Sequence, residues 1–267
     1  MAFDIDTFAE TSTPVAWGDL DLEAFRTDPL PDASLRALRY MCEVEYHTVC
    51  YLRDMLVTPS HGDGEVSTFM TMWNREEYWH GEALAAVLGV HGIEVEYDQL
   101  KAKRIKLGWR DRLDPIKQSV FGNVVGKDFV ATHMSWGSVN ERGAAAAYRR
   151  LARLEPHPAL APLLQRIAQQ ETRHIAFYAT QAGKRLEESA LARRFTRFAL
   201  SKAWGPVGST IQTPDEVRFV MGHLFDGPEG LRDVRKMDEA IAKLPGMAGL
   251  RINERAFRAR GLYADLD

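Results

Sequence analysis

The sequence predicts an all-α fold, a bundle of four long helices followed by shorter ones. Three observations carry that expectation. Apolar residues return at three- and four-residue steps along four long segments, Pro, Gly and capping residues bound those segments, and no stretch alternates with the period of a β-strand. With 267 residues, 45% of them hydrophobic and 27% charged, the chain has a globular composition, far from disordered, collagenous or disulfide-scaffold sequences. Its 34 basic residues against 37 acidic ones give a net charge of −3, which argues against nucleic acid as a partner.

Residues 1–31 form a lead-in of weak periodicity ending in Asp28-Pro29-Leu30-Pro31, whose prolines stop a helix and predict extended chain. The first long helix runs from Asp32 to about Val57, with Leu35, Leu38, Met41, Cys42, Glu45, Val49, Leu52 and Leu56 on its stripe and Thr58-Pro59 as its stop. The second spans about Ser67 to Leu88 and ends at Gly89. The third covers about Val120 to Leu154, broken near Gly122 or Gly126, and the fourth about Pro158 to Glu187. Shorter helices follow at Ser189 to Trp204, Pro214 to Phe225 and Pro228 to Leu244. The expected organisation is a lead-in over 1–31, a four-helix bundle over 32–187, and C-terminal helices over 188–267 that pack on it. One long crossover, about residues 90–120, joins the first helix pair to the second; that connection is what a ferritin-like bundle needs to lay its third helix parallel to its second.

Cys42 and Cys50 stand eight residues apart, roughly 12 Å along a helix, and cannot bridge each other. Such sparse cysteine fits a reducing cytosol, and the opening residues lack the basic and apolar regions of a signal peptide. No apolar run approaches the roughly 20 residues that a bilayer requires. A cytoplasmic protein without a membrane span is expected.

The chemistry is concentrated in Glu77-x-x-His80 on the second helix and Glu171-x-x-His174 on the fourth, the only two such sequences in the chain. Three residues turn an α-helix through about 300°, so each Glu and His share a face and can grip one metal ion. One copy is weak evidence, because exposed helices abound in glutamate. Two copies on alternate helices of a bundle are not. The other two helices then each owe an inward carboxylate, and Glu43 or Glu45 on the first and Glu141 on the third are candidates. Both Glu45 and Glu141 stand among apolar neighbours, where an uncompensated carboxylate is costly. Four converging carboxylates would also raise one another's pKa. Two ferrous ions cancel their four charges, and two neutral imidazoles complete a six-ligand set.

Trp73-Asn74-Arg75-Glu76-Glu77-Tyr78-Trp79-His80-Gly81 resembles the Trp-x-x-Glu-Glu-x-x-His-Gly motif of the soluble acyl-[acyl-carrier-protein] desaturases. Gln170-Glu171-Thr172-Arg173-His174, with Tyr178 after it, is similar to their second motif, and Asn140-Glu141-Arg142 to their Gln-Glu-Arg. Their first-helix Glu, followed six residues later by Tyr, matches Glu45 and Tyr51, which selects Glu45 over Glu43. The resemblance covers about residues 35–180. It implies a di-iron site of Glu45, Glu77, His80, Glu141, Glu171 and His174, dioxygen as co-substrate, and oxidation of an acyl chain on acyl carrier protein by desaturation or hydroxylation. It further implies a ferredoxin-type electron donor and a homodimer. Two positions depart from the family pattern. Ala144 replaces the Thr whose hydroxyl lies near the oxygen site, and Gln170 replaces an Asp that orients the first-motif His. A neutral amide leaves that imidazole less basic, so oxygen chemistry is expected to be tuned differently.

Lys101, Lys103, Arg104, Lys106, Arg110 and Arg112, offset only by Asp111, give the crossover a local charge of +5. The plain reading is a solvated helix face; the functional one, which follows from the resemblance, is docking of an acidic carrier, chiefly on Lys101, Lys103, Arg104, Lys106 and Arg110. No flavin, nicotinamide or phosphate-loop fingerprint occurs, so reducing electrons are expected from a separate protein. His47, His61, His91, His133, His157 and His223 have no Glu three residues before them and read as structural or surface residues. Gly143 and Ala144 to Ala147 would leave room for an alkyl chain beside Glu141. The competing function is a ferritin-like protein that binds and oxidises metal without turning over an organic substrate.

Overall fold

A computed structural model of the protein describes residues 3–96, 98 and 109–266. Lys101, Lys103, Arg104 and Lys106 lie outside the described residues, and of Arg110 only the backbone is described. The described chain is all-α: α1 (Ile5–Thr11), α2 (Asp32–Met55), α3 (Gly64–Val90), α4 (Trp109–Val125), α5 (Asp128–Leu154), α6 (Leu160–Glu188), α7 (Ala190–Lys202), α8 (Pro214–Phe225), α9 (Gly227–Ala242) and α10 (Ile252–Arg258). It divides into two compact units, Met1–Val130 and Ala131–Asp267.

In the first unit the lead-in departs from the extended chain expected. The Asp4 carboxylate accepts from the backbone N–H groups of Asp6 and Thr7 at 3.0 and 3.1 Å, which starts α1, and Phe8 on that helix packs on Phe69 of α3 with ring centroids 5.3 Å apart. Capping by one aspartate and burial of one aromatic offset the weak periodicity. A 3-10 turn at Leu22–Arg26 then buries Phe25. Helix α2 stops where the Thr58 hydroxyl donates to the Met55 carbonyl at 2.7 Å and Pro59 follows. Asp63 caps α3 by accepting from Val66 N–H at 3.1 Å. At the far end of α3, His91 donates from Nδ1 to the Val87 carbonyl at 2.9 Å and accepts the Leu30 N–H on Nε2 at 3.1 Å, fastening the lead-in. Contacts from Cys42 to Gly81, Thr48 to Asn74 and Tyr51 to Trp73 run in opposite directions along α2 and α3, so the pair is antiparallel.

The break expected near Gly122 or Gly126 falls at Gly126, whose φ of 69° is costly for any residue with a Cβ. Gly122 stays helical, facing Pro59 and Thr58.

In the second unit α5 and α6 are likewise antiparallel, with Gly137 against Tyr178 and Arg149 donating to Thr172 at 2.7 Å. The C-terminal helices are fixed by polar anchors that the apolar pattern does not reveal. Arg150, buried on α5, donates to the Leu224 carbonyl at the end of α8 at 2.7 Å and to Glu229 on α9 at 3.1 Å. Asp238 on α9 accepts from the N–H groups of Asn253 and Glu254, both at 2.9 Å, and so caps α10.

Candidate metal centre

Each unit carries a buried triad of two carboxylates and one imidazole. In the first, Glu77 and His80 project from one face of α3 and Glu45 comes from α2; one ligand atom from each lies within 4.8 Å of the others. His80 Nδ1 stands 3.8 Å from a Glu45 oxygen, and His80 is fully buried. The approach of the two helices depends on Gly81, where a Cβ would meet the Tyr46 ring at 2.8 Å. The Cys42 thiol contacts the Gly81 carbonyl at 3.4 Å, and the Tyr46 hydroxyl donates to Glu82 at 2.7 Å. The bare backbone after His80 therefore sets how near Glu45 comes to the Glu77 and His80 pair.

In the second unit Glu171 and His174 share a face of α6 and Glu141 comes from α5, again with ligand atoms within 4.8 Å. His174 Nδ1 is 3.2 Å from Glu171 and 3.7 Å from Glu141. In both triads Nδ1 is the imidazole nitrogen turned towards the carboxylates. Burial first, and the neighbouring Glu171 charge second, push the Glu141 carboxyl well above the usual carboxylate range, with His174 opposing. A proton or a cation is what such a site calls for. Gly137, one turn before Glu141, has the Tyr178 ring packed so flat against it that a Cβ there would lie 2.2 Å from ring carbon. Tyr178 itself lies one turn beyond His174.

The donor set fits a transition metal. Carboxylate oxygens and imidazole nitrogen suit iron, manganese or zinc, and two carboxylates balance one divalent ion.

The structure thus brings Glu45, Glu77 and His80 together, and likewise Glu141, Glu171 and His174. Glu43 is also buried, but its carboxylate accepts from Arg39 at 3.1 Å and belongs to no such group among the described residues. Gln170 and Ala144 are half-buried. A Cβ at Gly143 would make an ordinary contact, 3.6 Å, with a Val207 methyl of the segment after α7. That segment is pinned where Trp204 Nε1 donates to Asn140 at 3.1 Å, beside Glu141 in the chain. The sequence reading missed the roles of Gly81 and Gly137, and left out Glu76, which is fully buried beside Glu77 in the chain. The signal for Gly81 was its place in the quoted motif; Gly137 carried none, since its partner Tyr178 is distant in sequence.

No protein-family model matches the chain, and no curated protein does. Among solved structures it is similar to the X-ray structure of the "putative acyl-ACP desaturase DesA2" from Mycobacterium tuberculosis H37Rv, at 21% identity, over 93% of this chain and 89% of that one, with a TM-score of 0.52. At that identity the likeness speaks for the fold, and it bears out the all-α, ferritin-like class. It also agrees with the resemblance read from the motifs. No helix among the described residues is long and apolar enough to cross a membrane.

Proposed function

We propose that the chain is a member of the soluble acyl-[acyl-carrier-protein] desaturase family, an oxidoreductase whose Glu45, Glu77, His80, Glu141, Glu171 and His174 hold two irons. The observation that supports this best is the repetition: each unit buries a Glu-x-x-His pair from one helix with a Glu from its antiparallel neighbour. A surface ion-pair pattern would leave those side chains in water. When bound, two ferrous ions would supply the activation of dioxygen needed to oxidise an unactivated C–H bond. The carboxylates would neutralise the metals, and the imidazoles, turned by Nδ1, would complete the donor set without adding charge. Gly81 and Gly137 hold the paired helices close enough for both triads to close. With the sites buried, bulk water is kept from the reacting centre.

The substrate is an acyl chain carried on acyl carrier protein, taken to an alkene or a hydroxylated product. Electrons come from a ferredoxin-type donor, and the working form is a cytoplasmic homodimer. Lys101, Lys103, Arg104, Lys106 and Arg110 receive the carrier. Gln170 brings a neutral amide where the family has an Asp, which retunes the oxygen chemistry, and Ala144 leaves the oxygen site without a hydroxyl.

Anaerobic reconstitution with ferrous iron, followed by elemental analysis, should give about two irons per chain, the stoichiometry of di-iron carboxylate bundles. Glu77→Ala or Glu171→Ala should halve or abolish it, and a wild-type value well below one sinks the reading. Mass spectrometry of acyl-carrier species after incubation with ferredoxin, its reductase and oxygen tests the activity. Iron uptake with no change in any acyl chain would favour the metal-binding protein without organic turnover.

A further inference from the structure

The first unit has a cavity of about 330 Å³ between α2 and α3 that opens to solvent and reaches Glu45. Glu45 is the one member of its triad that lines it, and a Glu45 oxygen lies 3.8 Å from His80 Nδ1. Glu45 is therefore the residue that the cavity shares with the triad. We propose that this cavity binds small neutral apolar molecules, of which dioxygen is the relevant one, and serves as their port to the metal site; the port role rests on the di-iron reading above.

The lining chooses the occupant. Val49, Leu52, Tyr46 and Tyr78 supply apolar surface, and the polar groups among the walls are already engaged. The Thr48 hydroxyl donates to the Glu45 carbonyl at 2.6 Å and accepts from Asn74 at 3.1 Å. The Tyr46 hydroxyl donates to Glu82 at 2.7 Å, and Arg75 donates to the Ser12 carbonyl at 3.0 Å. A hydrated cation would meet one carboxylate and the positive charge of Arg75, with no set of oxygens to replace its water. An alkyl chain would have to push the Glu45 side chain aside to pass. A diatomic gas needs no hydrogen bond, gains from apolar contact and is the smallest of these occupants. Apolar cavity surface takes up xenon, which makes xenon a direct probe.

Two measurements decide the proposal. Crystals of the metal-free protein under xenon pressure should show xenon against Val49 and Leu52, and Val49→Trp should remove it. Val49 is half-buried, so the larger ring can be tolerated; Thr71→Trp, at an exposed position of the lining, is the second variant should the first fail to fold. In stopped flow, nitric oxide should combine with the ferrous-loaded Val49→Trp protein several-fold more slowly than with the wild type, at unchanged iron content. A cavity without xenon overturns the proposal. So does an unchanged nitric oxide rate in a variant that has lost its xenon, and so does slower iron loading with normal nitric oxide binding, which would make the cavity a metal route. A wild-type protein that takes up no iron sinks the di-iron reading instead, and there the xenon experiment alone decides whether the cavity binds apolar molecules.

Discussion

Glu43 and Glu45 stand two residues apart on α2 and are equally buried, yet their surroundings separate them. Arg39, one turn before Glu43, donates to its carboxylate at 3.1 Å, whereas Glu45 faces His80 at 3.8 Å. Metal analysis should therefore find Glu43→Gln with its full complement and Glu45→Gln short of one ion; the opposite result would move the ligand to Glu43. A second residue, His133, gives the fold a dependence on acid. Burial, and then the charge of Arg185, push its imidazole down from the ordinary 6.5 to about 3. The unfolded chain thus takes up a proton at this site before the folded protein does. Its contribution is complete above about 6.5 and is lost as the pH falls towards 3. Denaturant titrations at about pH 7 and pH 4 should show a smaller acid loss of stability in His133→Leu than in the wild type.

At the scale of elements, the close passage of two helices matters more than any single contact along them. Helices α5 and α6 meet where Gly137 leaves no side chain in front of the Tyr178 ring. A methyl group there would overlap that ring, which is fully buried, so the ring or the helix must shift within a close-packed interior. Gly137→Ala should cost about 1–3 kcal/mol by overpacking, although alanine is the better helix former. Because Tyr178 is one turn from His174 and Gly137 one turn from Glu141, the same change should weaken metal binding. Thermal melts of the metal-free protein and metal titrations would check the two effects separately, and an unchanged melting temperature would refute the packing argument.

For the whole molecule, charge is the property that reaches furthest. A crossover of +5 within a chain of −3 can steer an acidic partner, and such steering is screened beyond about 8 Å at physiological salt. Reversing Lys103, Arg104 and Lys106 to Glu should sharply reduce carrier-dependent turnover, with iron content and helicity unchanged. Added salt should weaken the wild type in the same direction. Equal dissociation constants for carrier at low salt would leave these residues as a solvated face and would not touch the metal site, which rests on other residues.

What the sequence determined by itself was periodic and local. The stripes at three- and four-residue steps marked the long helices, and Glu77-x-x-His80 and Glu171-x-x-His174 needed only helical geometry to be read as ligand pairs. Thr58-Pro59 likewise announced the end of α2. Tertiary structure decided what depends on residues far apart in the chain. It gave Glu43 to Arg39 and Glu45 to the triad, showed that Gly81 and Gly137 exist for Tyr46 and Tyr178, and laid Val207 over Gly143. It also turned part of the lead-in into α1, through the Asp4 cap and a Phe8 that packs on a helix some sixty residues on. A period is a property of neighbours along a helix, which any sequence displays. Close approach is a property of two surfaces, and it exists only once the chain has brought them together.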